Sequence, residues 1–385
     1  MALARSFSRR NPEMALRQKI WQVNWGLVVV TSLIAVVGFA MLYAAASGSW
    51  DPWASRQMVR FAACLAVMVA VALVDIRVWF RYAFPIYFAA LALLVVVEVV
   101  GTVGMGAQRW IDLYVIQLQP SEIMKVALVL ALARYFHGRA PEHAGRPLGL
   151  IVPVCAVAAP AALVLKQPDL GTAIMLTLMT GAVFLCAGVR LWMFAAVLAA
   201  AAAAGPLAWR FLHDYQKLRV LTFLNPESDP LGSGYHILQS KIALGSGGLF
   251  GKGFLQGTQS HLNFLPEKQT DFIFTMLAEE FGMVGGLVLL GLYALLLAYG
   301  FAIALRSRNQ FGRMLAIGIT ANLFLYVFIN IAMVTGLIPV VGVPLPLISY
   351  GGTAMLGVMG SLGLLMSVYV HRDVRISRRG LSEMP

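Results

Sequence analysis

Ten apolar stretches, most of them long enough to cross a bilayer, constrain this chain more than anything else in it. They lie near 23–46, 58–75, 79–100, 120–137, 148–166, 169–188, 190–209, 272–304, 313–335 and 350–370. A helix needs roughly 20 mainly apolar residues to span the ~30 Å of hydrocarbon. Backbone groups in lipid must be paired within a helix or around a closed barrel. Barrel strands alternate polar and apolar residues, and these stretches do not, so they read as helices. Composition agrees: 60% of residues are hydrophobic and 12% charged, where a soluble domain carries about 25% charged. Mean hydropathy is +0.79. The expected fold is an all-α polytopic membrane protein of about ten transmembrane helices. The 272–304 stretch is longer than a bilayer needs, so it should tilt or protrude.

The net charge is +12. In a soluble protein that would point to nucleic acid. Here no basic patch is interleaved with base-stacking aromatics, so nucleic acid is excluded as a partner. Instead the basic residues gather at segment ends: Arg5, Arg9, Arg10, Arg17 and Lys19; Arg77 and Arg81; Arg139 and Arg146; Arg306, Arg308 and Arg313; Arg372, Arg375, Arg378 and Arg379. By the positive-inside rule these ends are cytoplasmic, and an even number of spans puts both termini there. The segments 47–57, 101–119, 210–271 and 336–349, with a short turn at 166–169, are then extracytoplasmic. The chain divides into a cytoplasmic segment 1–22, a membrane domain 23–370 and a cytoplasmic tail 371–385. The first apolar stretch is too long for a typical signal peptide and lacks a persuasive cleavage site. Cys64, Cys155 and Cys186 sit in apolar stretches without paired or metal-binding spacing, and read as small core residues.

Chemistry at a membrane surface needs polar groups, and the 210–271 loop, between the seventh and eighth spans, is where this chain concentrates them. It holds His213, Asp214, Lys217, Arg219, Glu227, Asp229, His236, Lys241, Lys252, His261, Glu267, Lys268 and Asp271. Asn225–Pro230 reads as turns. Tyr235–Leu244, with Gln239, Ser240 and Lys241, reads as a short amphipathic helix in the interface. Gly245–Gly253 is glycine-rich, so its amides could approach a ligand closely. Asp271 ends the loop. It reads as the N-cap of the next helix, as a general base whose part-burial by Phe272 and Phe274 could raise its pKa, or as both, since the two roles can coexist.

Other polar groups lie at the same expected level. Glu122 and Lys125, at i, i+3, form either a self-satisfied ion pair or a cavity wall for a polar head group. Arg109 beside Trp110 suits a phosphate, although interfacial Trp is ordinary anchoring. Asp169 reads as a helix cap. One of Glu279 and Glu280 should face the interior, neither being easily exposed to lipid; Glu98, left unassigned, could snorkel to the nearby outer surface. The Pro- and Gly-rich run Pro339–Thr353 cannot lie exposed in lipid, and should fold into the mouth of the bundle or line a groove. No metal cluster, nucleophile elbow or Walker loop is present in the sequence. The residues alone describe a polytopic helical protein with an outward-facing site for an amphipathic, anionic substrate.

Six runs together resemble one family: Gly106–Ile111, Gln119–Lys125, Gln167–Thr172, Gly234–Gly248, Phe264–Phe274 and Pro344–Thr353. In order along the chain they are similar to the SEDS family (shape, elongation, division and sporulation). Val341–Pro346 and Phe264–Glu267 are closer to its elongation branch, RodA, than to its division branch, FtsW. The resemblance implies a bacterial inner-membrane peptidoglycan glycosyltransferase that polymerises lipid II into β-1,4-linked glycan, with undecaprenyl diphosphate as leaving group. It implies a class B penicillin-binding protein as transpeptidase partner, with MreC, MreD and MreB in the wider machinery. It maps the family's essential Asp onto Asp271 and lines the central cavity with Trp110, Glu122 and Lys125; Arg109, Asp169, Gln239, Ser240, Lys241 and Lys252 complete the expected substrate-binding set. Inversion needs one base, and a diphosphate needs charge stabilisation more than an acid. Arg109, Lys125, Lys241 and Lys252 are the candidate contacts, the first two foremost. No tightly bound cofactor is expected. A divalent cation, Mg or Mn, could bridge the diphosphate, without a protein-only cage. A lipid II transporter and a scaffold for the transpeptidase stand as alternatives.

Overall fold

The computed structural model of the chain describes residues 16–104, 107–112, 117–139, 147–211, 214–225, 233–262, 264 and 267–377. The turns expected at 226–230, the His213 and Glu227 positions and the ends of the chain lie outside these residues.

A short helix α1 (Leu16–Trp21) precedes α2 (Trp25–Ala45), α3 (Ala54–Leu73) and α4 (Ile76–Val100). Three short strands follow, β1 (Thr102–Gly104), β2 (Ala107–Asp112) and β3 (Gln117–Leu118), antiparallel in the order β1-β2-β3. Then come α5 (Pro120–His137), α6 (Pro147–Lys166), α7 (Leu170–Cys186), α8 (Leu191–Phe211), α9 (Asp214–Leu224), α10 (Ser233–Ser246), α11 (Thr258–His261), α12 (Ile273–Arg306), α13 (Gln310–Val334) and α14 (Gly352–Val370). Among the described residues seven helices are long and apolar enough to cross a membrane: α2, α3, α4, α6, α12, α13 and α14. Helices α7 and α8 are apolar but shorter in their apolar part, and α5 carries Glu122, Lys125 and Arg134. The strands were not anticipated in the 101–119 segment, which has no run of alternation long enough to signal them.

Polar caps start several helices where the apolar pattern begins. Asn24, Asp75, Asp169 and Asn309 each accept a backbone amide of the first turn, satisfying a donor that the helix cannot. Helices α5, α13 and α14 form the centre, with most of their side chains buried. Hydrophobic faces all round fit that position. Small residues let the helices approach. A Cβ on Gly300 of α12 would stand 2.2 Å from Thr320 of α13, and one on Gly318 of α13 2.4 Å from Val129 of α5. Cys64 is buried as expected, but Cys155 faces outward from α6.

The bundle has two distinct faces. On the basic face, Lys19 reaches the Leu73 carbonyl, Ser367 donates to the Val74 carbonyl, and the Arg308 amide donates to the Arg372 carbonyl. Both ends of the described chain therefore lie together with the α3–α4 and α12–α13 turns. On the other, the loop face, lie the β-strands, α10, the turn at 267–272 and the segment 336–351. Glu98 pairs there with Lys166 at 2.6 Å.

Candidate active site

The segment 336–351 enters the bundle rather than crossing it. Val343, Leu345, Leu347, Ile348 and Ser349 are buried. Irregular backbone at this depth needs partners, and the neighbouring helices supply them. Tyr293 of α12 donates to the Pro346 carbonyl. Gln57 of α3 donates to the Ser349 carbonyl at 2.9 Å. The guanidinium of Arg60 lies over the Tyr350 ring, 4.7 Å from its centroid.

This buried segment in turn holds the Asp271 turn. Ser349 Oγ donates to the Thr270 carbonyl (2.6 Å) and the Tyr350 amide to the Gln269 carbonyl (2.8 Å). Asn330 of α13 donates from Nδ2 to two carbonyls, Asp271 (2.9 Å) and Val343 (2.7 Å), and so ties turn and segment together. Asp271 itself is half-buried. It is not the cap of α12: that position is Phe272, which has no side-chain capping bond. The cap reading of Asp271 is therefore corrected; the turn is held by tertiary contacts. The Asp271 carboxylate lies against Gly342, where a Cβ would stand 3.3 Å from Oδ2 and where φ is +77°. Lys268, three residues earlier, is buried, and desolvation pulls its pKa below the usual lysine range.

A second polar centre lies one turn along α13. Lys125 donates to Glu122 Oε1 at 2.7 Å, and the Tyr326 hydroxyl contacts both Lys125 and Glu122 Oε2. All three side chains are buried. Tyr326 and Asn330 are four residues apart, so they leave the same face of α13 about 6 Å apart along its axis. Beside Glu122 opens a cavity of about 200 Å³ between α3, α4, α5 and α14. Gln119, Glu122 and Thr353 lie at its loop-face end, and Ile86, Leu130 and Leu364 along its apolar length.

Arg109 of β2 closes the third side. It donates from Nε to the Gln167 carbonyl (3.2 Å) and from Nη2 to the Pro168 carbonyl, and its Nη1 lies 3.9 Å from Asp169 Oδ2. Asp169 also caps α7, accepting the Thr172 amide (3.1 Å) and hydroxyl (2.9 Å). Trp110 is half-buried on the same strand.

The remaining expected residues separate. Helix α10 is longer than the expected 235–244 stretch. It docks across the start of α12 instead of lying only in the interface. Ser240 is buried there, 2.8 Å from Thr275 Oγ1 and donating to the Val334 carbonyl at 2.7 Å. Gln239 is half-buried. Lys241 is exposed beside Gly336 and forms no ion pair among the described residues. Lys252 is paired with Glu279 at 2.7 Å and with Thr258 at 2.8 Å. Glu279 and Glu280 are both buried. The glycine-rich stretch serves α12 rather than presenting its amides to a ligand: the Lys252 and Gly253 amides donate to the Glu279 and Glu280 carbonyls.

Tyr326 and Asn330 were not among the expected site residues. The signal is in the sequence: Asn322, Tyr326 and Asn330 recur every four residues in a mainly apolar span, and polar groups at that depth face the protein interior. No group of three or more metal-ligating side chains occurs among the described residues.

A family model described as cell cycle protein (FtsW, RodA, SpoVE) matches residues 16–374. The chain is 46% identical over 343 residues to the peptidoglycan glycosyltransferase MrdB of Escherichia coli K12, covering 89% of this chain and 92% of that protein. It is similar to a solved structure from a study of polymerization and crosslinking by a peptidoglycan synthase complex, with 34% identity and a TM-score of 0.80 over 91% of this chain and 98% of that one. The crystal structure of the Thermus thermophilus rod shape determining protein RodA matches with 30% identity and a TM-score of 0.70, covering 92% and 98%.

Proposed function

Because the chain belongs to the FtsW/RodA/SpoVE family of cell cycle proteins, we propose that the two polar centres joined by α13 form one glycosyl-transfer site, with Asp271 as its general base. The chain is a peptidoglycan glycosyltransferase of the rod-shape type, a multi-span helical membrane enzyme. Its substrate in this reading is lipid II. The acceptor GlcNAc 4-hydroxyl attacks C1 of the donor sugar, its proton passes to Asp271, and the bond from C1 to the undecaprenyl diphosphate oxygen breaks. One displacement inverts the anomeric centre to a β-1,4 link, and a diphosphate leaves without needing an acid.

The observation that carries this reading is the mounting of Asp271. Its peptide carbonyl is held by Asn330 and its turn by Ser349 and Tyr350, while the side chain stays half-buried at the loop face. A base held this way is preorganised and reachable. The apolar cavity beside Glu122 suits a short run of isoprene units from the lipid tail. Arg109, Lys125, Lys241 and Lys252 are the candidate diphosphate contacts. Among the described residues Lys241 has no ion pair to leave, whereas Lys125 and Lys252 already hold carboxylates. A divalent cation, Mg or Mn, would arrive on the substrate diphosphate. The loop face is extracytoplasmic and the basic face, with both termini, cytoplasmic. The partner is a class B penicillin-binding protein, with MreC, MreD and MreB beyond it.

The test is a gel assay of labelled lipid II with the purified chain and its transpeptidase partner. Glycan ladders are expected from the natural sequence and none from Asp271→Ala. Lipid translocation that survives Asp271→Ala, with no ladders from either protein, would turn the reading to a transporter. Normal cell shape with Asp271→Asn would turn it to a scaffold.

A further inference from the structure

The loop between α10 and α11 is bound to α12 where that helix breaks. Helix α12 breaks at Gly282, where φ is +65°. The loop fills the break with four backbone hydrogen bonds. The Lys252 and Gly253 amides donate to the Glu279 and Glu280 carbonyls, each at 3.0 Å; the Met283 and Val284 amides donate to the Gly248 and Leu249 carbonyls at 3.0 and 3.1 Å. Such bonds supply what a broken helix near lipid would otherwise lack. They also set the loop tip level with Met283 and Val284. The contact is too close for side chains: a Cβ on Gly251 would stand 2.1 Å from the Glu280 carbonyl oxygen.

The depth follows from helix rise. From Met283 to the basic end at Arg306, α12 rises about 35 Å, against ~30 Å of hydrocarbon. The tip therefore stands at the headgroup–acyl boundary of the leaflet on the loop face. Helix α2 gives the same level independently, since its 21 residues rise about 31 Å and bring Tyr43 to that boundary. Tyr43 meets Trp50 (centroids 4.9 Å apart) and stacks on Phe254 (6.3 Å), which meets Phe281 (5.9 Å). Aromatic rings gather at this level in membrane proteins. At the tip, Leu249 is 58% and Phe250 80% exposed. The apolar surface continues without interruption onto Met283, Val284, Leu287 and Val288, the exposed side of the span.

We propose that residues 247–255 are an interfacial anchor, with Leu249 and Phe250 inserted in the phospholipid leaflet on the loop face and the Tyr43–Trp50–Phe254–Phe281 cluster at headgroup level. The occupant is lipid, because the patch is continuous with the lipid-facing side of α12 and lies at the boundary depth given by two helices. The anchor clamps the extramembrane part of α12, and with it the Lys252–Glu279 pair, to the leaflet.

The test uses the full chain in nanodiscs of phosphatidylethanolamine and phosphatidylglycerol, without any partner protein, and with Cys64, Cys155 and Cys186 replaced by Ala. A nitroxide is attached at Phe250→Cys and its relaxation by oxygen and by an aqueous nickel chelate is compared. Val288→Cys is the lipid-facing reference and Arg375→Cys the aqueous one. Oxygen is expected to relax the label at 250 several-fold more than nickel does, as at 288. Nickel dominance, as at 375, would overturn the proposal by placing the tip in water. Weak relaxation by both would overturn it by showing the tip covered by protein, a second copy included. Because Phe250 is 80% exposed, the variant should fold; Leu249→Cys repeats the measurement one residue away.

Discussion

The Asp271 turn and the Glu122–Lys125–Tyr326 triad lie one helical turn apart on α13, yet they are held by opposite means. In the triad the charged atoms themselves are the fasteners: carboxylate, ammonium and hydroxyl satisfy one another in a buried space. In the turn the fasteners are backbone carbonyls gripped by Asn330, Ser349 and the Tyr350 amide. The difference teaches where each group can act. A carboxylate whose turn is fixed through its backbone has its position set by main-chain bonds rather than by its own charge. A buried pair that holds itself together shapes a wall, and loses stability when one partner goes.

Substitutions sharpen that contrast. Asp271→Ala should lower polymerisation by about 10²–10⁴-fold, the usual contribution of a general base, with thermal unfolding in detergent little changed. A large fall in unfolding temperature would instead make Asp271 structural. Lys125→Met should behave the other way, destabilising the chain by about 3–5 kcal/mol because Glu122 is left charged and unpaired. The double variant Glu122→Gln with Lys125→Met should recover part of that loss. A double variant worse than the single would mean that the pair does not act as a closed unit. Asn330→Ala is intermediate, since it grips Asp271 only through the main chain. It should cost about 1–3 kcal/mol for the two carbonyls it releases and reduce kcat more than it raises KM. An unchanged kcat would break the link between α13 and the base. The smallest effect is expected on the basic face. Arg308 and Asp373 are both largely exposed, 3.2 Å apart, and Arg308→Ala should change stability by about 0–1 kcal/mol.

The legibility of the molecule varied with the range of the interaction. Apolar runs marked the helices, because a span must satisfy its own backbone. Asp169 is legible as a cap, because that bond joins residues three apart. The glycine-rich stretch at 245–253 reads as ligand-facing from sequence, yet its Lys252 and Gly253 amides are taken by α12. Glycine shows that something approaches closely, and only the fold shows that it is the break in α12. The paired state of Lys252 depends on Glu279, 27 residues away. No local pattern encodes that pairing.

The sequence by itself determined the helices, the segregation of basic ends from polar loop, and the short motifs that place the chain in its family. These rest on local hydrogen bonding and on the exclusion of charge from hydrocarbon, and both are readable one segment at a time. Only the tertiary structure decided that the Pro- and Gly-rich run would become the floor under Asp271, and that Tyr326 and Asn330 would join the two polar centres. It alone showed the glycine loop to be the partner of a broken span. Each of these joins residues far apart in the chain, and such a contact is selected by packing of the whole bundle rather than by the preferences of either segment.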